Sequence, residues 1–383
     1  MTEKEASRMK ETYQSLFEGY TFKSGVKLKN NLLMAPMTNY SSQENGMVSD
    51  EELAYYKERS SGVGAVITAV AYVQRDGKGF ENEISVDSDE MIPGLTKLAD
   101  TIKGEGAKAI LQIFHAGRMA PPELLEEGQS VSASAVAALR PGLVTPRELT
   151  ENEIETIIQA FANATRRAIE AGFDGVEIHG ANTYLIQQFF SPHSNRRNDK
   201  WGGNIEKRMT FPLAVIEAVK DTVNKHAKNP FIVGYRISPE ETENPGITMD
   251  DTLVFVDKLA EQDLDYLHIS VQNFWQGSIR DTEDKKSRVL MIFERVGHKI
   301  PIIGVGSLKT PADVVKAMDT GVPLVALGRE LVMEPKWVQK VEAGEEETIA
   351  TTLTKNDQSR LVVPDGLWKR IMSVKGWFPV EEE

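Results

Sequence analysis

Short apolar segments alternate with longer amphipathic segments along most of the chain. Runs rich in β-branched residues predict eight strands: Asn31–Pro36, Gly64–Val73, Lys108–Phe114, Asp174–His179, Phe231–Ile237, Tyr266–Val271, Ile300–Val305 and Pro323–Gly328. Strands that are apolar on both faces are typical of a parallel sheet covered by helices. The pattern therefore predicts an α/β fold.

The segment that follows residue 150 has the clearest helical period. Apolar residues recur at steps of three and four over Ile154–Ile169, which indicates one buried stripe. Thr150 begins the sequence of a capping box, and Gly172 is typical of a helix end. Ser49 and Thr310 predict the starts of two further helices in the same way.

Eight strand–helix units fit a (β/α)8 TIM barrel, and a doubly wound open sheet is the alternative. The chain has 383 residues, whereas such a barrel needs about 250. The extra length falls in a leader over residues 1–30 with a hairpin at Tyr20–Phe22 and Lys27–Lys29, in the loop 115–149, and in a tail with a short helix at Gly366–Met372. We expect one barrel over residues 1–343, which includes the N-terminal hairpin, and a C-terminal extension over 344–383.

Composition narrows the classes of function. The net charge of −13 disfavours nucleic acid as a partner. The absence of cysteine excludes disulfides, thiolate metal sites and a cysteine nucleophile. The polar start Met1–Glu5 lacks the core of a signal peptide, and no apolar run approaches the ~20 residues that cross a bilayer. We expect a cytoplasmic protein without a membrane partner or a metal. The oligomeric state stays open, because the tail from Gly344 could dock on its own barrel or on a neighbour in a homo-oligomer.

The fourth predicted strand ends at His179, and Asn182 and Tyr184 follow it. Catalytic groups of this barrel lie at the carboxyl ends of strands. His179 and Asn182 can each donate an N–H to one oxygen, which would stabilise enolate-like charge. Tyr184, with an ordinary pKa of about 10, holds a proton that it could deliver. The alternative is a structural histidine, with Asn182 as a helix cap.

Glycine-rich turns follow the seventh and eighth predicted strands. Gly306-Ser307 and Gly328-Arg329 occupy the two loops that form the common phosphate site of this barrel. Glycine permits close approach of the backbone, and Arg329 offers a guanidinium. The alternative is a pair of tight turns with a surface arginine.

Three polar residues lie at or within the predicted strands, namely Thr38, Gln112 and Arg236. Glutamine and arginine are costly to bury unless they form hydrogen bonds. Partners within the protein would satisfy them. Alternatively, a bound heterocycle that is polar and partly anionic would form hydrogen bonds with all three residues.

Several motifs together resemble the Old Yellow Enzyme family of FMN-dependent NAD(P)H oxidoreductases. The similarity covers roughly residues 20–343, and these segments carry it: Leu28–Asn31, Met34–Thr38, His115–Arg118, His179–Leu185, Phe190–Pro192, Ser194–Arg197, Trp201–Asn204 with Arg208, and Gly328–Leu331. The combination is highly specific, whereas one fragment alone would not be.

The resemblance implies a role for each candidate residue. FMN would be held by Ala35, Pro36, Met37, Thr38, Val70, Gln112, Arg236, Gly306, Ser307, Gly328 and Arg329. Substrate would be contacted by Tyr40, His179, Asn182 and Trp275, with Tyr184 as the proton donor. Val70 departs from the family, which usually has glycine or alanine there. Trp275 is equally compatible with a packing residue.

The resemblance also implies a reaction. NADH or NADPH would reduce FMN and leave, and an electron-poor alkene, quinone or nitro compound would then accept the hydride. Without cysteine, the chain cannot be one of the relatives that carry an iron–sulfur cluster. The alternatives are a non-catalytic flavin-binding sensor, an amine-oxidising FMN dehydrogenase, and a metal-dependent or Schiff-base aldolase that uses the same phosphate loops. Neither the acceptor nor the preferred nicotinamide follows from the sequence.

Overall fold

Parallel strands form a closed ring in the computed structural model, which describes residues 9–381. Within that range the eight barrel strands are β1 (Leu32–Met34), β2 (Ala65–Tyr72), β3 (Lys108–Phe114), β4 (Gly175–Gly180), β5 (Ile232–Ile237), β6 (Tyr266–Ile269), β7 (Ile302–Gly304) and β8 (Leu324–Leu327). The ring closes because β1 pairs with both β2 and β8. The (β/α)8 barrel is therefore confirmed, and the open sheet is wrong. The predicted polar start of the chain lies outside the described residues.

Helices cover the outside of the barrel. They are α1 (Asp50–Ser60), α2 (Ile92–Gly104), α3 (Glu151–Ala171), α4 (Leu185–Phe190), α5 (Ile205–Arg208), α6 (Thr210–His226), α7 (Met249–Ala260), α8 (Arg288–Val296), α9 (Pro311–Met318), α10 (Arg329–Met333), α11 (Trp337–Glu342) and α12 (Asp365–Ser373). The predicted caps are confirmed: Thr150 and Thr310 each form a capping box, Ser49 accepts from the Glu52 N–H, and Gly172 ends α3 with φ +90°. None of the helices in residues 9–381 is long and apolar enough to cross a membrane.

The predicted hairpin and tail lie at opposite ends of the barrel. Tyr20–Thr21 pairs antiparallel with Lys27–Leu28, and Phe22 packs on Tyr266 at the amino ends of the strands. The tail docks on its own barrel, where Leu367 of α12 and the later Phe378 are buried in the main hydrophobic core. The hairpin and the extension are thus confirmed as parts of the fold, while a domain boundary at residue 344 stays a prediction.

The loop 115–149 is held by arginines of the family motifs. It contains a short strand pair, Val131–Ser132 with Arg147–Glu148. Arg118 donates to the carbonyl oxygens of Val136 and Ala137 at 3.0 and 3.1 Å. Arg197 donates to the carbonyls of Ala133 and Leu149 at 2.8 and 2.7 Å. These motif residues therefore stabilise the loop beside the barrel mouth.

Candidate active site

A cavity of about 670 Å³ lies at the carboxyl end of the barrel. Most of the predicted cofactor residues line it, from the ends of β1, β5, β7 and β8: Ala35, Pro36, Met37, Arg236, Gly306, Ser307, Gly328 and Arg329. The tail segment Val374–Trp377 forms a further wall. The sequence showed no signal for this wall, because its position depends on how the tail docks.

Arg236 is the clearest sign that the cavity holds a ligand. Arg236 is only 9% exposed, and its Nε is fully buried. Nevertheless, its guanidinium makes no hydrogen bond with any residue from 9 to 381. A buried guanidinium without acceptors is costly, because water no longer solvates it. An electron-rich heterocycle edge in the cavity would supply those acceptors.

The opposite end of the cavity is suited to an anion. Gly306 and Ser307 have consecutive positive φ values of +118° and +53°, and neither backbone N–H donates a hydrogen bond to another residue from 9 to 381. A Cβ on Gly306 would lie 2.9 Å from Asn273 Cα, so only glycine fits. Arg329 bridges the walls, since it donates to Ser307 Oγ at 3.3 Å and to the Trp377 carbonyl at 2.7 Å.

These two ends fit the two ends of FMN. The unbonded guanidinium of Arg236 suits the pyrimidine edge of the flavin, and the loops of Ser307 and Arg329 suit its phosphate. Gly328 lines the same cavity, and a Cβ there would make an ordinary contact of 3.6 Å with Met37 Sδ.

Gln112 has a partner within the protein. Its Nε2 donates to Glu177 Oε1 at 2.8 Å, and Glu177 Oε2 accepts from the Tyr266 hydroxyl at 2.8 Å and from His268 Nδ1 at 3.0 Å. Burial alone would raise the pKa of Glu177, but its interactions with His268 and Tyr266 and the charge of nearby Arg236 lower the pKa to about 2, so the carboxylate is ionised. Sequence reasoning missed Glu177, although it is a polar residue within an apolar strand, as Gln112 is.

His179 lies beside the cofactor cavity as a buried, neutral imidazole. It is next to Arg236 in the register of β4 and β5. Its Nδ1 is buried and makes no hydrogen bond in the described part of the chain. Burial, together with the charge of Arg236, lowers the pKa of His179 to about 3. At neutral pH the ring therefore carries one N–H and no charge.

Tyr184 belongs to an aromatic cluster around His179. Its ring centroid lies 5.2 Å from that of His179 and 4.9 Å from that of Phe114. Phe80 contacts both Tyr184 and the predicted substrate residue Tyr40, with centroids 6.2 and 5.8 Å apart. Burial raises the pKa of Tyr184, so its phenol stays protonated.

The amide of Asn182 is oriented by two serines. Its Oδ1 accepts from Ser270 Oγ at 2.8 Å and from Ser238 Oγ at 3.3 Å, which leaves Nδ2 available to donate to a ligand. The helix-cap alternative is wrong, because Tyr184 occupies the N-cap of α4. Asn182 and both serines line a second cavity, of about 580 Å³.

The lining of the cofactor cavity does not include Gln112, His179, Asn182, Tyr184 and Tyr40, nor the three remaining predicted residues, Val70, Thr38 and Trp275. Val70 is buried in a cluster with Phe114 against which Tyr184 packs. Thr38 follows Met37 but is not part of the cavity lining. The ring of Trp275 contacts Phe274 and lies 5.1 Å from Lys316 Nζ, outside the lining of both cavities. Across residues 9–381, no group of three or more His, Cys, Asp or Glu could hold a metal ion.

Comparison with known proteins identifies the family. The sequence model of the NADH:flavin oxidoreductase / NADH oxidase family matches residues 15–348. The chain belongs to this family. The resemblance to Old Yellow Enzymes is thereby confirmed, and so are FMN as the cofactor and a nicotinamide as the reductant. The protein is an oxidoreductase, and the aldolase alternative is wrong.

Relatives of this family align with nearly all of the chain. The chain is 47% identical over 374 residues to the probable NADH-dependent flavin oxidoreductase YqiG of Bacillus subtilis, covering 98% of this chain and 100% of YqiG. It is 49% identical over 357 residues to the NADH:acrylate oxidoreductase of Vibrio harveyi, covering 92% of this chain but 35% of that protein. Morphinone reductase in complex with tetrahydroNAD superposes with a TM-score of 0.73 at 25% identity, covering 86% of this chain and 91% of that one.

Proposed function

We propose that this flavin oxidoreductase reduces an electron-poor alkene, quinone or nitro compound in a two-step cycle. NADH or NADPH first reduces the enzyme and leaves, and the acceptor then enters the same site. Bound FMN supplies the hydride chemistry, while the chain supplies orientation, electrostatics and a proton.

The observation that carries the proposal is a pair of available donors at the carboxyl end of β4. Within residues 9–381, neither the Nε2 of neutral His179 nor the Nδ2 of Asn182 forms a hydrogen bond, so both can donate to a ligand oxygen. Together they would polarise the carbonyl or nitro group of the acceptor. Each such donor contributes about 10²–10³ in rate, because it meets charge that develops in the transition state.

Tyr184 is the proposed proton donor to the acceptor carbon. Its raised pKa keeps the phenol protonated across the physiological range. Phe80 and Phe114 pack against its ring and hold it in place. Proton transfer from a positioned group contributes about 10²–10⁴ in rate.

The names of the longer relatives favour alkenes as acceptors. Acrylate, named for the Vibrio harveyi protein, and fumarate, named for an NADH:fumarate oxidoreductase of Klebsiella pneumoniae, are both electron-poor alkenes. The chain spans 35% and 39% of those two proteins, so each compound is a candidate to test beside 2-cyclohexenone. The non-catalytic sensor is wrong, because the chain is an oxidoreductase. The amine-dehydrogenase alternative, the cytoplasmic location and the oligomeric state stay predictions.

The test is the substitution Tyr184→Phe, followed in the two half-reactions separately. We expect acceptor reduction to slow by about 10²–10⁴, while the bleaching of FMN by NADH or NADPH stays unchanged. Anaerobic stopped-flow absorbance measures both rates. Tyr20→Phe, in the hairpin at the other end of the barrel, is the matched control. Equal losses in both half-reactions would remove Tyr184 from this role.

A further inference from the structure

We propose that Glu177 is a positioning residue that sets the side chain of Gln112 against FMN and lowers the reduction potential of the cofactor through its charge. The inference rests on the FMN site described above. It does not depend on which acceptor the enzyme reduces.

Glu177 fixes which end of the Gln112 amide is available. The two residues are neighbours in the register of β3 and β4, and both are buried. Because the Gln112 amide nitrogen donates to Glu177 Oε1, the Gln112 carbonyl oxygen is left over, and it accepts no hydrogen bond from residues 9–381. Gln112 is thus held as an acceptor for an N–H of the flavin pyrimidine edge, rather than as a donor.

Glu177 also acts on Arg236 through its charge. No hydrogen bond or ion pair joins them in the described residues, but each side chain shifts the pKa of the other by charge. Both groups are shielded from water, which leaves their interaction strong. Reduced FMN is anionic, so Arg236 favours the reduced form, and the negative charge of the Glu177 carboxylate opposes that effect.

The hydrogen bonds alone do not require a carboxylate at this position. Burying an ionised group costs more than burying an amide, and a glutamine has nearly the same shape. A glutamine could still accept from Gln112 and could exchange a second hydrogen bond with Tyr266 or His268. Charge is therefore the property that glutamate adds.

The test compares Glu177→Gln, which removes the charge, with Tyr266→Phe, which removes one hydrogen bond and keeps the charge. Midpoint potentials are measured on the FMN-loaded proteins against a reference dye, with no acceptor present. In Glu177→Gln we expect reduced FMN to gain about tenfold in binding relative to oxidised FMN, which raises the two-electron potential by about 30 mV. Tyr266→Phe should change the potential by less than half as much. An unchanged potential in Glu177→Gln, or equal shifts in both variants, would overturn the proposal.

A second variant tests whether Glu177 positions Gln112. It can also be measured if Glu177→Gln does not fold. Glu177→Asp keeps the charge, but the side chain is one methylene shorter, so the carboxylate lies farther from Gln112. We expect a potential close to wild type together with weaker binding of oxidised FMN, measured by quenching of free-flavin fluorescence. Unchanged FMN affinity would contradict the positioning of Gln112. Loss of acceptor reduction alone would affect only the proposed function, because neither readout uses an acceptor.

Discussion

The two ends of the barrel use buried polar groups in opposite ways. At the amino end, Asp265 accepts from the Val233 and Ser24 N–H groups at 2.8 and 2.9 Å, and Asp174 accepts from the Ala109 N–H at 2.9 Å. At the carboxyl end, Arg236 and the Nδ1 of His179 have no hydrogen-bond partner in residues 9–381. Bonded groups at the amino end fix how neighbouring strands meet. Unbonded groups at the carboxyl end carry a cost that a ligand can remove.

The largest expected effect is a loss of FMN affinity after a substitution at the carboxyl end. Arg236→Leu should weaken FMN binding about 100-fold, because a charge-assisted contact with the cofactor is lost. Isothermal titration of the apo protein with FMN measures this. Unfolding of the apo variant in urea should show only a small loss of stability, because the removed guanidinium had no hydrogen-bond acceptors, although Glu177 loses a favourable charge nearby. Wild-type FMN affinity in Arg236→Leu would show that the guanidinium does not face the cofactor.

A substitution at the amino end should lower stability and leave FMN affinity unchanged. Asp265→Ala leaves backbone N–H groups of β5 and the hairpin without acceptors, and we expect it to cost about 2–3 kcal/mol of unfolding free energy. The affinity of the folded protein for FMN should not change. Urea unfolding and FMN titration of the same sample separate the two quantities. A large loss of FMN affinity at full stability would contradict the division between the ends.

His179 gives the carboxyl end a dependence on pH. Its pKa is about 3 in the folded protein and about 6.5 in an unfolded chain. As pH falls below 6.5, the unfolded chain binds a proton that the native protein does not, so stability falls. Between pH 6.5 and 5, wild type should lose about 2 kcal/mol more than His179→Asn. Parallel stability profiles of the two apo proteins would show that the imidazole is not held neutral.

The smallest expected effect concerns Asn182. Ser270→Ala removes the 2.8 Å hydrogen bond that orients its amide. We expect kcat/KM for the acceptor to fall by about three- to tenfold, in line with one neutral hydrogen bond. The reduction of FMN by the nicotinamide serves as the internal control. Equal changes in both steps would point to a general disturbance of the loop.

Local patterns predicted the parts that depend on neighbours in sequence. The apolar runs located the barrel strands, and Thr150 and Gly172 marked the ends of α3, because a cap acts within one turn of helix. Gln112 and Arg236 attracted attention because polar residues in apolar strands need partners. The same reasoning did not lead to Glu177 or His268, although both are buried polar residues in strands.

The sequence by itself determined the barrel, the caps and the residues at the carboxyl ends of the strands, because hydrophobic period and capping chemistry act over a few residues. Only the tertiary structure decided that Gln112 bonds to Glu177 while Arg236 is left without acceptors. It also decided that the segment Val374–Trp377 closes the cofactor cavity. These outcomes join residues far apart in the chain, and the closure of the barrel and the docking of the tail determine which of them meet.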